Sequence, residues 1–466
     1  MSRLIVVSNR VSVTKGRGAA GAQGGLAVAM AGALRNRGGM WFGWSGHEVE
    51  TFTGQLTMER FSDVTTATID LEQQDIDEYY NGYANRTIWP LFHYRIDLAE
   101  YSNEFGRGYE RVNERFANSL LPLVEPDDLI WVQDYHLMPL AERLRAHGLT
   151  NRMGLFLHIP WPPARLLVSL PNHEHLVEAM LQYDVIGFQS REVLDSFFHY
   201  CRRELEAEVD EQRNVIRYKG RDIIAKAFPI GLDAKEFGAL EHSQEAKLAE
   251  QRMSLSALGR MIAIGVDRLD YSKGLPERID ALEKLVGILP NLVSQLLFVQ
   301  IAPPSREDVL SYQRIRTTLE QKAGQFNGAH SDFDMVPIRY VNRGFDRASL
   351  FGFYRASRIG LVTPLRDGMN LVAKEYVAAQ NPENPGVLVL SRFAGAAEQL
   401  TDAVLVNPHS PEEVAHGIKL AMDMPLQERQ TRWQKLNQSV QKFDVINWAN
   451  EFIEALEHPK EMTNAG

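Results

Sequence analysis

Short apolar runs recur along the whole chain. They lie at residues 4–7 (LIVV), 129–132 (LIWV), 153–158 (MGLFLH) and 185–188 (VIGF), then at 261–266 (MIAIGV), 296–301 (LLFVQI), 359–363 (IGLVT), 387–391 (VLVLS) and 404–407 (VLVN). Runs this short, β-branched and nearly unbroken by polar positions predict strands buried on both faces. Amphipathic stretches separate them. Residues 276–289 place Ile279, Leu282, Leu285, Val286 and Leu289 on one stripe, and 139–147 and 412–422 read the same way. Strands alternating with helices predict an α/β fold with parallel sheets. The series pauses at 228–233 (FPIGLD), passes through a polar helical stretch over 234–260, and restarts at Met261. The pattern therefore predicts two Rossmann-like, doubly wound halves of similar size with a cleft between them. Ligands of such sheets bind beyond the carboxyl ends of the strands.

Composition narrows the classes of function. A length of 466 residues corresponds to about two to four domains. Apolar residues make up 44% and charged residues 24%, the balance of a globular protein rather than a disordered or fibrous one. Fifty Lys and Arg against 60 Asp and Glu give a net charge of −10, without the basic excess of a nucleic-acid binder. Cys201 is the single cysteine, so no internal disulfide forms, which fits a reducing compartment. The first apolar run stops at Val7, too short for a signal peptide, and no stretch has the length of a membrane span. The expectation is a cytoplasmic protein acting on small molecules, not on membranes or nucleic acid.

Candidate chemistry therefore lies just after each strand. Arg268 and Lys273 follow the run 261–266; there they can converge on a diphosphate, or pair with Asp267 or Asp270 on the surface. Residues 363–375 (TPLRDGMNLVAKE) read as strand end, glycine turn and helix start near Asn370. Backbone amides over 368–371 would point out of that helix and hold a leaving phosphate. Asp367 on the turn suits sugar hydroxyls and Glu375 suits a ribose; the plainer readings are a helix-capping acid and a surface ion pair. Asp134 closes the strand at 129–132 and could accept from a substrate hydroxyl. His158 closes the next, where it could donate to a sugar oxygen or serve the structure alone. Arg10, Tyr80, Trp89 and Arg306, taken singly, read as structural. Residues 16–21 match GxGxxG, but eight residues separate them from Val7, which is wrong for a dinucleotide fingerprint. A glycine loop ending at Gly24 and Gly25 before a helix is an anion site or a plain surface loop. His173 and His175 lack the i, i+4 spacing of paired helix ligands, no Cys/His cluster occurs, and no GxSxG elbow is present.

Taken together, VVSNRV, GGLAVA, WFGWSG, DEYYNGYANRTIWPLFHY, QDYHL, LHIPWP, DRLDYSKGLPER, IAPPSRED, VNRGFDR and TPLRDGMNLVAKEYVAAQ resemble bacterial-type trehalose-6-phosphate synthases nearly end to end. The resemblance implies the two-domain GT-B fold, with an acceptor domain over 1–232, a nucleotide-sugar domain over 233–440, and a last helix (about 441–466) packed back on the first. It implies transfer of glucose from UDP-glucose to glucose 6-phosphate with retention, giving α,α-trehalose 6-phosphate and UDP, without cofactor or metal. By resemblance, Arg268 and Lys273 hold the donor diphosphate and Gly24 and Gly25 close over the donor. Phe345 sits by the uracil and Glu375 binds the ribose. Asp367 with the Met369, Asn370, Leu371 and Val372 backbone holds the donor glucose and phosphate, and His158 contacts that glucose. Arg10, Tyr80, Trp89 and Arg306 form the glucose 6-phosphate pocket, and Asp134 binds the acceptor sugar. The catalytic set so implied is Asp134, His158, Arg268, Lys273 and Asp367. Homodimers or homotetramers are common in such families. The sequence up to Gly466 carries no phosphatase-like region, so a separate phosphatase is expected to act on the product. The loop GAQGG is longer and more polar than the compact form of close relatives, which bears on donor closure. Another donor base, another acceptor (as in glucosylglycerol-phosphate synthases) or a sugar-phosphate sensor are the alternatives. An NAD-dependent oxidoreductase has only the misplaced GxGxxG behind it.

Overall fold

The computed structural model describes residues 2–11, 34, 39–61, 64–306 and 309–459. They gather into two compact units. One contains the described residues up to Ile230 and those from Ile446 onward; the other is Gly231–Val445. The loop carrying Gly24, Gly25 and the GxGxxG match lies outside the described residues.

The first unit is built on a sheet of β1 (Leu4–Arg10), β2 (Gly39–Val49), β3 (Thr57–Phe61), β4 (Val64–Glu72), β5 (Leu129–Gln133), β6 (Met153–Phe156), β7 (Val185–Phe188), β8 (Glu208–Asp210), β9 (Val215–Tyr218) and β10 (Arg221–Ala227). Their order is β3-β4-β2-β1-β5-β6-β7-β10-β9-β8. Pairing is parallel from β4 to β10, and the edges are finished by antiparallel β3 on one side and β9 and β8 on the other. The chain winds outward from β1 through β2 to β4, then restarts beside β1 at β5, so the winding reverses between β1 and β5.

The second unit repeats the plan. Its sheet is wholly parallel: β11 (Met261–Val266), β12 (Leu296–Ile301), β13 (Ile338–Val341), β14 (Ile359–Val362), β15 (Val387–Ser391) and β16 (Val404–Val406), in the order β13-β12-β11-β14-β15-β16. The reversal falls between β11 and β14. Every continuous apolar run read from the sequence is one of these strands, and the central ones are buried along their length. Helix α1 (Leu275–Ile288) puts Ile279, Leu282 and Leu285 into the core beneath the sheet, as its stripe predicts. Helix α2 (Leu371–Ala379) follows β14.

Helix α3 (Val445–Glu457) belongs, from Ile446 on, to the first unit. It lays Trp448 and Phe452 on the face formed by β5, β6 and β7. Phe452 stacks on Trp131 with ring centroids 4.7 Å apart and meets Phe156 and Phe228 edge-on. The contact needs glycine on the strands below. A β-carbon at Gly154 would lie 2.8 Å from the Phe452 ring, and one at Gly187 would crowd both Phe452 and Phe156. Phe452→Ala should therefore cost about 3–5 kcal/mol through lost contact and a residual cavity, read as a lowered urea midpoint. Ile446→Ala, exposed on the same helix, should shift stability by no more than about 0.5 kcal/mol.

Candidate active site

In the second unit the reversal between β11 and β14 sets two strand-end segments side by side. Gly274 turns the chain from the first segment into α1. Its φ of +65° and its contact with the Thr363 carbonyl leave no room for a side chain. Across the reversal Lys273 Nζ donates to Asp367 Oδ2 at 2.5 Å. The lysine is thus held by a carboxylate 94 residues on, and not by its sequence neighbours Asp267 or Asp270. Asn370 Nδ2 donates to the same Asp367 oxygen at 3.0 Å. Asn370 also caps α2: its Oδ1 accepts from the Ala373 N–H at 3.2 Å, and its backbone takes φ +80°. Asp367, Met369, Asn370, Leu371 and Val372 therefore converge with Lys273 at a helix N-terminus whose first N–H groups lack intrahelical partners. Arg268 is exposed on the β11 side of the same turn. The second unit thus offers two cations and a helix N-terminus, a combination suited to a diphosphate.

A buried guanidinium supports this arrangement. Arg278, on α1, is 0% exposed. It donates to Asp267 Oδ2 at 2.7 Å, Gln300 Oε1 at 2.9 Å, Thr363 Oγ1 at 2.9 Å and the Lys273 carbonyl at 3.3 Å. One side chain so ties the ends of β11, β12 and β14 to the backbone of the clamp lysine. Burial raises the Asp267 carboxyl above its ordinary range, with Arg278 and Lys273 pulling the other way.

Glu375 sits one turn into α2, partly exposed. Desolvation pushes its carboxyl up to about 7, opposed by Arg347 and by the Tyr354 hydroxyl, which donates to it at 3.4 Å. Phe345 is half-buried, edge-on to Phe353 at 5.1 Å, with Arg343 over its ring at 5.0 Å. Arg306 also belongs to the second unit. It reaches the Tyr312 hydroxyl and lies 3.7 Å from Asp270, while Tyr312 in turn donates to Asp270 at 2.8 Å.

The first unit brings together Arg10, Tyr80 and Trp89 through aromatic neighbours that the sequence did not single out. Arg10 lies over Trp44 at 5.7 Å, Trp44 meets Tyr80 at 5.8 Å, and Tyr80 stacks on His136 at 5.8 Å. His136 packs on Tyr135 at 4.0 Å, and Tyr135 on Trp89 at 5.7 Å. Gly46, at φ +91°, leaves the space the Arg10 guanidinium occupies. Tyr80 sits on a 13-residue π-helix, Ile76–Ile88, with Trp89 directly after it; wide turns of this kind are frequent at functional sites.

Beside the reversal at β1 and β5, Asp134 holds φ +71°, a region costly for any residue but glycine. Its N–H donates to the Phe156 carbonyl at 2.8 Å and its carboxylate accepts from the His158 N–H at 3.1 Å. The His158 ring reaches Gln133 at 2.9 Å and Gln189 at 3.2 Å, so protein groups engage both of its nitrogens. Of the two histidines without paired-ligand spacing, His173 bonds the Tyr200 hydroxyl and His175 faces Glu110 and Glu142. Among the described residues no group of three or more His, Cys, Asp or Glu side chains is placed to hold a metal ion, and no helix is long and apolar enough to cross a membrane.

The model of the family described as glycosyltransferase family 20 matches residues 2–458. The chain belongs to glycosyltransferase family 20. A trehalose-6-phosphate synthase of Sinorhizobium fredii is 46% identical to it over 98% of both chains. A UDP-forming α,α-trehalose-phosphate synthase of Burkholderia xenovorans, solved in complex with glucose 6-phosphate, is 45% identical, covers 98% of this chain and 100% of its own, and superposes with a TM-score of 0.94. An Escherichia coli structure bound with UDP-2-fluoro glucose is 42% identical over 98% and 99% of the two chains, with a TM-score of 0.93. The GT-B architecture expected from the sequence is the architecture of these structures.

Several functional candidates of this family 20 chain escape a reading of strand ends. Arg278 lies inside a motif but carries no strand-end signal, and its acceptors are scattered over about 100 residues of sequence. Gln133 and Gln189 do close strands, yet glutamine at such a position signals nothing by itself. Removing the guanidinium leaves Asp267 buried without its partner. Arg278→Met should therefore cost about 3–5 kcal/mol. Combined with Asp267→Asn it should cost less than the sum of the single variants by about 0.5–3 kcal/mol, measured as a denaturation double-mutant cycle.

Proposed function

We propose that the chain transfers glucose from UDP-glucose to glucose 6-phosphate, with retention, giving α,α-trehalose 6-phosphate and UDP. The observation that carries this reading is the convergence of Lys273, Asp367 and the capped N-terminus of α2 where the second sheet reverses. Relatives of near-identical span named for this reaction support it. In the proposed roles, Arg268 and Lys273 take the donor diphosphate with the Met369–Val372 amides. Asp367 takes glucose hydroxyls, Glu375 the ribose, Phe345 the uracil side, and His158 lies against the donor glucose. Arg10, Tyr80, Trp89 and Arg306 take glucose 6-phosphate, and Asp134 orients its sugar.

Chemically, the bond between the anomeric carbon and the UDP oxygen breaks while the acceptor hydroxyl forms the new glycosidic bond on the same face. The acceptor's proton passes to the departing phosphate. Charge accumulates on the diphosphate as it leaves, and two cations with a helix terminus neutralise it in place. That set suffices without a metal or cofactor, so turnover should continue undiminished in EDTA. The product is a phosphomonoester, which a separate phosphatase would consume. The working form is proposed as a homodimer or homotetramer.

The test is a panel of UDP-, ADP- and GDP-glucose with glucose 6-phosphate or glycerol 3-phosphate, following nucleotide release and the sugar product together. Fastest turnover with UDP-glucose and glucose 6-phosphate is expected. Turnover only with glycerol 3-phosphate, or binding of both ligands without release, would refute it.

Two further outcomes follow from the geometry. Arg268→Ala should lower kcat more than Glu375→Ala, because leaving-group charge develops in the transition state while ribose contacts are made equally before it. Donor binding should also depend on pH. The carboxylate of Glu375 is the form that accepts from ribose hydroxyls, and the carboxyl titrates at about 7. Affinity for UDP-glucose should then fall about tenfold from pH 8 to pH 6, by calorimetry. Glu375→Gln should flatten that dependence.

A further inference from the structure

A histidine with a protein group on each ring nitrogen has its protonation decided by those groups. Four adjacent strands of the first sheet, β5, β6, β7 and β10, each contribute one residue at or just past the carboxyl end: Gln133, His158, Gln189 and Ile230. These form one hydrogen-bonded row. The Ile230 N–H donates to Gln189 Oε1 at 3.0 Å. A backbone N–H has nothing but a proton to offer, so this bond fixes the amide: oxygen toward Ile230, NH2 toward His158 Nδ1 at 3.2 Å. Nδ1 must then accept. The ring proton sits on Nε2 and is donated to Gln133 Oε1 at 2.9 Å. Turning the Gln133 amide over would face both ring nitrogens with donors, which a neutral imidazole cannot satisfy. A second ring proton would set Nδ1–H against the Gln189 NH2.

The two glutamines are buried, Gln133 at 1% and Gln189 at 2% exposure, while His158 between them is partly exposed. The buried Gln133 Nε2 has no hydrogen-bond partner among the described residues. Phe156 and Trp448 pack on the ring at 4.6 and 6.0 Å. Asp134 binds the His158 backbone N–H rather than the ring. Burial alone pushes the imidazole down to about 3, with no charged group from the surrounding strands or from α3 among the causes.

We propose that Gln133 and Gln189 are positioning residues that hold His158 as the neutral, Nε2-protonated tautomer during glucosyl transfer. The inference rests on the proposed placing of His158 against the donor glucose. As the bond to the diphosphate breaks, positive charge grows at the anomeric carbon. An imidazolium nearby would oppose that charge, whereas a neutral ring held in one tautomer does not. In this role the ring neither gives nor takes a proton.

The test uses the full chain labelled with 15N-histidine, with the His158 signals assigned by their loss in His158→Asn. The expected spectrum has a protonated Nε2 and an unprotonated Nδ1, unchanged from about pH 5.5 to 8.5. A proton on Nδ1, or titration near the ordinary histidine value, would overturn the proposal. In Gln189→Glu the carboxylate accepts from both Ile230 N–H and Nδ1–H, so the ring should become doubly protonated near neutrality. There kcat should fall about tenfold or more with KM for both substrates within about twofold, and recover as pH rises. A doubly protonated ring with unchanged kcat would overturn the catalytic role. Should that variant fail to fold, Gln189→Met removes the donor without adding charge; it should show both tautomers and a lowered kcat, and a single unchanged tautomer would count against the row. The spectrum is read without turnover, so a protein that shows the expected tautomer but transfers no glucose refutes the proposed function and not this inference.

Discussion

A guanidinium cut off from water must find every acceptor inside the protein. Arg278 does so by drawing on three strand ends and one loop carbonyl. Its position on α1 lets the connection that leaves β11 report back to β11, β12 and β14 at once. The neighbourhood of β11 and β14 is where the winding reverses, the point at which sheets of this kind bind their ligands. Without the guanidinium, the buried Asp267 carboxylate would lose its hydrogen-bonded counter-charge and keep only the attraction of Lys273, and the loop bearing Lys273 would lose its inner anchor. The clamp on the outer side, Lys273 to Asp367 and Asp367 to Asn370, is thus the visible edge of a network whose centre is buried. An exposed ion pair alone would fix those groups weakly. Seated on a buried network, they are preorganised.

The first unit solves the same problem with one carboxylate and a row of neutral groups. Around its reversal the strand ends are tied by Asp134 in a costly backbone conformation and by a row of glutamine, histidine and glutamine, where the second unit uses buried ions. A strained residue persists only where its surroundings over-determine it. Here the N–H and carboxylate of Asp134 are both bound to the β6 end, so relaxing its backbone would break two hydrogen bonds. The aromatic ladder from Arg10 to Trp89 extends that rigid edge without adding charge beyond the guanidinium itself.

What was legible in the sequence follows from which physical signals are local. Strands buried on both faces must be continuous and apolar, so β1, β5 to β7, β11, β12 and β14 to β16 stand out from residue pattern alone. β2 does not: its GMWFGWSGHEV mixes glycine, tryptophan and polar residues. β4 alternates like a half-exposed strand, and the edge strands β8 and β9 are too short to show a period. The π-helix at Ile76–Ile88 follows a period that no 3.6-residue stripe can reveal. For the site, positions at strand ends were readable because topology sends them to one edge. Partnerships were not. Sequence proximity pointed Lys273 at Asp267 or Asp270, whereas the fold gives it Asp367, since contacts across a winding reversal join segments that chain distance keeps apart. The pattern marks Asn370 as the start of a helix, but nothing local shows that its side chain caps that helix and also binds Asp367.

The contrast between the units has a chemical reading. Breaking a glycosyl–phosphate bond builds negative charge on one fragment and positive charge on the other. A single set of charged groups cannot favour both, because whatever stabilises the diphosphate repels the sugar cation. In the proposed roles, the two tasks fall to different residue types. Cations and a helix N-terminus lie at the strand ends of the second sheet, while the corresponding edge of the first presents a carboxylate, Asp134, and a ring, His158, that its neighbours keep uncharged. A charged pair in place of the glutamine row would carry the desolvation cost of buried ions and would work against the proposed reaction. Neutral hydrogen bonds hold the ring less strongly than ions would, and that weaker hold is what the electrostatics of the proposed transfer demand.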